Sequence, residues 1–280
     1  MLTTPRMGLS PLIALALLLV ASPVWSVTVS REPGIRSGAA LILDEQTDEV
    51  LYARRADVPA PIASITKLMT AMVVTQAHQP LDERIQITTA DVSKSKGAYS
   101  RLPVGAMLTR GELLHLALMA SENRAAHALG RSYPGGEAAF VRAMNLEARK
   151  LDMRHTHFVE PTGLSEDNVS TPADLAKLVI AASQNPTIRA YSTDPAHAVA
   201  LGRHLVEFHN TNSLVRNPAW DIALQKTGYI AEAGRCLVMK AVIEGRSVVI
   251  VLLNSFGKYT RVADARRVRN WMEQQLSEHR

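Results

Sequence analysis

The 280-residue chain has one cysteine, Cys236. No intrachain disulfide can form, and no cysteine follows the N-terminal apolar run to carry a lipid. Flanked by Arg235, Leu237, Val238 and Met239, Cys236 reads as a small buried hydrophobe on a strand. Long apolar runs are lacking too. The stretch from Leu12 to Val20 falls short of the ~20 residues that span a bilayer core. No basic run is interleaved with aromatics, so nucleic acid is not an expected partner. Its 31 Lys plus Arg against 26 Asp plus Glu leave a net charge of only +5, a mildly basic surface or a weak attraction to an acidic polymer. Internal repeats and low-complexity tracts are absent. Gly135-Gly136 reads as a turn before a helix, not a phosphate loop. His155 and His157 stand near Glu160 without further ligands at zinc spacing, so no metal and no cofactor is expected. His127, His204 and His209 read as satisfied or surface histidines.

What is present begins with Arg6, then the run Leu12–Val20, then Ala21 to Ser26 with small residues at Val24 and Ser26. This is the pattern of a secretory signal peptide over residues 1–26; an uncleaved anchor is the other reading. Residues 27–280, with 47% hydrophobic composition over the whole chain, read as a single domain with ample core. Gly38–Asp44 and Val50–Ala53 read as strands joined by a turn of about five residues. Ile62–Ala77 has helical spacing. Thr109 with Glu112 forms a capping box before Leu113–Met119. A further helix covers Gly136–Leu151, and Thr171, Pro172 and Asp174 start another. After Pro218, strands return at Ile222–Ile230, Cys236–Ile243 and Ser247–Asn254, the last two joined at Glu244-Gly245. Arg261–Leu276 closes as a helix, with a thin apolar face that suits core packing better than a membrane surface. The expected fold is α+β: an antiparallel sheet built from both chain ends, flanked by helices, with a helical insert at about 85–200.

Three short motifs stand in order: Ser64-Ile65-Thr66-Lys67, Ser121-Glu122-Asn123 and Lys226-Thr227-Gly228. Chance copies of the first two occur, at Ser93 with Lys96 and at Ser183 with Asn185, but in a polar stretch and at the end of a plain helix. A serine hydroxyl needs a base to become a nucleophile. One helical turn on, Lys67 falls on the same face as Ser64. Lysine serves as a base only when neutral, and burial or a nearby cation such as Lys226 lowers its pKa. The Ser64 N–H at a helix start, with the Tyr229 N–H, can form an oxyanion hole. Gly228 leaves room for a substrate backbone along the strand.

The set resembles the signatures shared by penicillin-binding proteins and serine β-lactamases. The longer strings Pro61–Thr70, Met119–Ala126, Pro161–Leu164, Ser170–Leu175 and Gln225–Cys236 are similar to the low-molecular-mass D-alanyl-D-alanine peptidases. Glu122, where aspartate is commoner, favours the endopeptidase subgroup of the penicillin-binding protein 7 type. The resemblance implies the β-lactamase/transpeptidase-like fold, with Ser64 as acylated nucleophile, Lys67 as base and Ser121 as proton relay. It implies that Asn123, Lys226 and Thr227 bind substrate beside Gly228. It implies peptidoglycan stem peptides and cross-links as substrates, β-lactams as covalent inhibitors, and a periplasmic protein, loosely membrane-associated at most, with no membrane anchor in the mature chain. The motifs leave endopeptidase and carboxypeptidase open. A β-lactamase would need a water-activating acid; Glu160-Pro161 is followed by Thr162-Gly163-Leu164, the wrong frame for one. A β-lactam sensor would carry further membrane spans.

Overall fold

In chain order the strands are β1 (Ala39–Asp44), β2 (Glu49–Arg54), β3 (Ala60–Pro61), β4 (Arg84–Gln86), β5 (Met107–Thr109), β6 (Val169–Ser170), β7 (Ala196–Leu201), β8 (His204–His209), β9 (Asp221–Ile230), β10 (Gly234–Ile243) and β11 (Arg246–Ser255). The helices are α1 (Thr66–Gln76), α2 (Arg110–Met119), α3 (Asn123–Arg131), α4 (Gly136–Lys150), α5 (Pro172–Ser183), α6 (Pro186–Thr193) and α7 (Thr260–Glu278). The computed structural model describes residues 1–2, 32–93 and 99–278; the expected leader, with its run Leu12–Val20 and the Val24 and Ser26 positions, lies outside the described residues but for its first two.

The main sheet has five antiparallel strands in the order β2-β1-β11-β10-β9, so both chain ends build it, as the sequence implied. Its central strands are buried on both faces. Alternate residues go to opposite cores because successive side chains of a strand point to opposite sides. Leu41, Leu43, Val238, Val249, Val251 and Leu253 face the larger core beneath the helices. Ile42, Leu237, Met239, Ile250 and Leu252 face a smaller core closed by Ala265, Val268 and Met272 of α7. The expected apolar stripe of that last helix is thus a core stripe. Asp264 of α7 ties the chain ends together. Its carboxylate accepts from the Ser37 N–H at 2.8 Å and the Ser37 hydroxyl at 2.6 Å, and pairs with Arg267 at 2.6 Å.

Local signals act where they were read. The Thr109–Glu112 capping box opens α2 with both reciprocal bonds made. Thr171 caps α5 by accepting from the Asp174 N–H, with Pro172 in the first turn. Glu244 and Gly245 both take positive φ, 50° and 79°, as a two-residue hairpin with the strand twist requires. Helix α6 and the β7–β8 hairpin stand where no element was read, although Asn185 caps α6 by accepting from the Thr187 and Ile188 N–H groups, with Pro186 in its first turn. That hairpin alternates weakly, with Val199 and Phe208 its only buried hydrophobics. Helix α5 lies across the sheet beside β1, β10 and β11, and α1 packs between α4 and α5.

Candidate active site

Ser64 is placed by a tight turn. Strand β3 pairs with β6 and ends at Pro61. The chain then enters a 3₁₀ turn, Ala63–Ile65, and α1 starts only at Thr66. The helix expected from Ile62 therefore begins four residues later. The reason is local crowding. Ala63 has φ +49°, an uncommon value for a residue with a side chain. Gly163 lies against it so closely that a Cβ there would stand 2.0 Å from the Ala63 carbonyl oxygen. The Thr66 hydroxyl donates back to that same oxygen at 2.8 Å. Ser64 is held at the head of α1, and its side chain is nearly buried.

Lys67 is one turn on and fully buried. Its Nζ lies 2.9 Å from Ser64 Oγ, 2.8 Å from Asn123 Oδ1 and 2.6 Å from the Thr162 carbonyl oxygen. A neutral amine has two N–H donors and one lone pair. The two carbonyl-type oxygens can take the donors, which leaves the lone pair facing the one hydroxyl that can donate. Burial pushes Lys67 down to about 8, against the pull of the Glu160 and Glu122 carboxylates.

Ser121 joins α2 to α3 at φ +59°. Its hydroxyl accepts from Lys226 Nζ at 2.8 Å, and Lys226 donates also to the Thr227 carbonyl at 2.8 Å. Burial, with Lys67 and Arg261 as neighbouring cations, pushes Lys226 well below the ordinary lysine range. Asn123 opens α3 and so reaches Lys67. Strand β9 is the sheet edge at which Lys226, Thr227 and Gly228 stand in a row. A Cβ on Gly228 would lie 3.0 Å from the Ser64 backbone nitrogen, so the glycine lets the edge strand close on the turn that carries Ser64. Tyr229 follows, its exposed ring under the Arg235 guanidinium at 4.6 Å. The structure thus gathers two hydrogen-bonded groups, Ser64–Lys67–Asn123 and Ser121–Lys226, with Lys67 close enough to depress the Lys226 pKa and with Thr227, Gly228 and Tyr229 along the edge of β9. Of the chance copy, Lys96 lies outside the described residues.

Several residues of this site escaped the motif search. The Glu160 carboxylate accepts from the Thr162 N–H, the Thr162 hydroxyl and the Gly163 N–H, each at 2.6 Å, and from Asn168 Nδ2 at 2.8 Å. Both its oxygens organise their own loop, which presents the Thr162 carbonyl to Lys67. This is why Glu160 is a poor match for a water-activating acid. Thr211 shares a 2.6 Å bond with the Thr227 hydroxyl. Arg261, at the start of α7, donates to the Gly228 and Cys236 carbonyls at 2.7 and 3.1 Å. Of these, the sequence singles out Glu160, as a candidate water-activating acid, and the string Pro161–Leu164. Asn168, Thr211 and Arg261 sit in segments with no motif of their own. A cavity of about 400 Å³ opens beside Asn123, Glu160 and Thr162.

The fold matches the Streptomyces K15 DD-transpeptidase at a TM-score of 0.78 and 30% identity, over 86% of this chain and 98% of that one. It also matches penicillin-binding protein D2 from Listeria monocytogenes in its cefotaxime-bound form, at 0.74 and 28%, over 85% and 97%. The class is that of serine hydrolases on the transpeptidase fold. Residues 26–257 match the D-alanyl-D-alanine carboxypeptidase family, and the chain belongs to it. It is 49% identical over 256 residues to a D-alanyl-D-alanine endopeptidase of Pseudomonas aeruginosa, spanning 90% of this chain and 82% of that relative.

Proposed function

We propose that this enzyme is a periplasmic DD-endopeptidase, which hydrolyses D-alanyl cross-links of peptidoglycan through an acyl-enzyme on Ser64. The observation that carries the reading is the Lys67 amine, 2.9 Å from Ser64 Oγ with its two other partners both acceptors. Ser64 Oγ attacks the D-alanyl carbonyl as Lys67 takes its proton. The developing oxyanion sits against the Ser64 and Tyr229 N–H groups. Ser121, bonded to Lys226, passes a proton to the departing amine of the neighbouring stem peptide, and the ester forms as the amide breaks. Water then attacks the ester, loses its proton to the basic pair, and Ser64 is restored. Asn123, Lys226 and Thr227 hold the substrate's amide and carboxylate, while an extended peptide lies along the free edge of β9 beside Gly228.

A β-lactam offers a strained amide to the same serine and leaves a covalent adduct. With Glu160 committed to its loop, no acid is set to drive rapid deacylation, so that adduct persists. Residues 1–26 are the leader that delivers the chain to the wall. Among the described residues, no helix is long and apolar enough to cross a membrane.

The endopeptidase reading draws on the Pseudomonas relative and on Glu122; the family's own description is a carboxypeptidase. Digestion of cross-linked dimeric muropeptides beside monomeric pentapeptides decides between them. Dimers should become monomers with pentapeptides little changed. Free D-alanine from pentapeptides, with dimers intact, makes the enzyme a carboxypeptidase.

A further inference from the structure

Behind the cleft the fold gathers three potential metal ligands that no sequence spacing announces. His115 lies in the middle of α2, Asp194 caps the C-terminal end of α6, and His197 is the second residue of β7. One ligand atom from each lies within 4.8 Å of the other two. The His115 and His197 rings face each other with centroids 4.1 Å apart, and Tyr191 stacks on the other side of His115 at 4.3 Å. We propose that His115, Asp194 and His197 form a zinc site that clamps α2 to the α6–β7 connection.

The strongest sign is an orphan. His115 is more than nine-tenths buried, yet its Nε2 makes no hydrogen bond of acceptable geometry. It lies 3.0 Å from Asp194 Oδ2, with the carboxylate poorly aligned to an N–H. Buried ring nitrogens ordinarily have partners, so an unpaired one pointing at a carboxylate needs an account. A metal supplies it. Zinc takes nitrogen and oxygen ligands at ~2.0–2.2 Å, which puts tetrahedral neighbours about 3.3 Å apart. The 3.0 Å between His115 Nε2 and Asp194 Oδ2 is near that value, and the third ligand atom lies within 4.8 Å of both. The two imidazoles and one carboxylate leave the fourth position to water. Two imidazoles and one carboxylate suit zinc better than calcium or magnesium, which take oxygen ligands.

The clamp would bear on the active site through both of its walls. Four residues beyond Met119's end of α2's buried face the chain reaches Asn123, passing through Ser121. The Asp194 carbonyl accepts from Asn210 Nδ2 at 2.8 Å, and Asn210 Oδ1 accepts from Gln225 Nε2 at 2.9 Å, next to Lys226. Thr211, bonded to Thr227, donates its N–H to the Met119 carbonyl at 3.1 Å. Zinc would therefore hold together the segments that carry Ser121 and Lys226.

The test uses the full mature chain, stripped with chelator and titrated with zinc or cobalt(II). One equivalent should bind. Cobalt should give the visible absorption of a tetrahedral site, and Tm should rise by about 5–10 °C at free zinc about a hundredfold above Kd. His197→Gln and Asp194→Asn should each weaken binding at least about tenfold and abolish the Tm rise, while His204→Gln on exposed β8 should not. Both ligands are half-buried, so these variants test the site without emptying the core at His115. Penicillin labelling of the metal-free variants reports their fold separately. Substoichiometric zinc, an octahedral cobalt spectrum, or undiminished binding by folded His197→Gln would overturn the proposal.

Discussion

At the scale of single residues, the proposed mechanism makes neutral Lys67 the base, and burial lowers its pKa to about 8. The rate of acylation by penicillin should therefore rise as pH climbs through about 8 and level off above it. Glu122 is a carboxylate that favours the ammonium form of Lys67. Glu122→Gln should move that rise to lower pH, a sign that a merely structural change would not produce. Lys67→Arg keeps a cation that stays protonated. Acylation should fall by about 10²–10⁴-fold, the usual value of general-base help. Mass spectrometry of the adduct should place the drug on Ser64 in the parent and find none in Ser64→Ala. An acylation rate that is flat from pH 6 to 10, or an active arginine variant, means the base lies elsewhere.

At the scale of elements, the loop between α4 and α5 lies directly against the turn that carries Ser64. Gly163 adopts φ +82° and abuts the Ala63 carbonyl, so Gly163→Ala faces both a strained conformation and a backbone clash. We expect a loss of at least about 2 kcal/mol and a collapse of acylation, because the clash falls on the residue preceding Ser64. Thr171→Ala removes only the cap of α5, and should cost about 1 kcal/mol, a fall of about 2–4 °C in Tm, with acylation kept. Thermal unfolding together with penicillin labelling separates the two. Equal loss of labelling in both would mean that the loop acts through overall stability and not through the turn.

At the scale of the whole molecule, the five-stranded sheet unites the chain ends, and the carboxylate of Asp264 fastens the start of β1 to α7. Removal of residues 1–26 should leave the sheet intact, and the intact mass of the exported protein should show the new N-terminus at Val27. Retention of the leader in the exported form would instead favour an uncleaved anchor.

The sequence alone determined whatever depends on neighbours along the chain. Apolar, β-branched runs marked β9, β10 and β11; Thr109, Thr171 and Glu244-Gly245 marked caps and a turn because their chemistry acts within four residues. Ser64 with Lys67 was legible for the same reason, being one helical turn. Tertiary structure alone decided the rest. Helix α6 and the β7–β8 hairpin lack strong periodicity and are settled by packing. The left-handed Ala63 packs against Gly163, 100 residues away (163 minus 63), where a Cβ would not fit. Glu160, Thr211, Arg261 and the His115–Asp194–His197 group owe their positions to strands and helices that meet only in the folded chain. Burial, which sequence can suggest but not measure, is what lowers Lys67 and Lys226, because the cost of a charge depends on the water that the whole fold excludes.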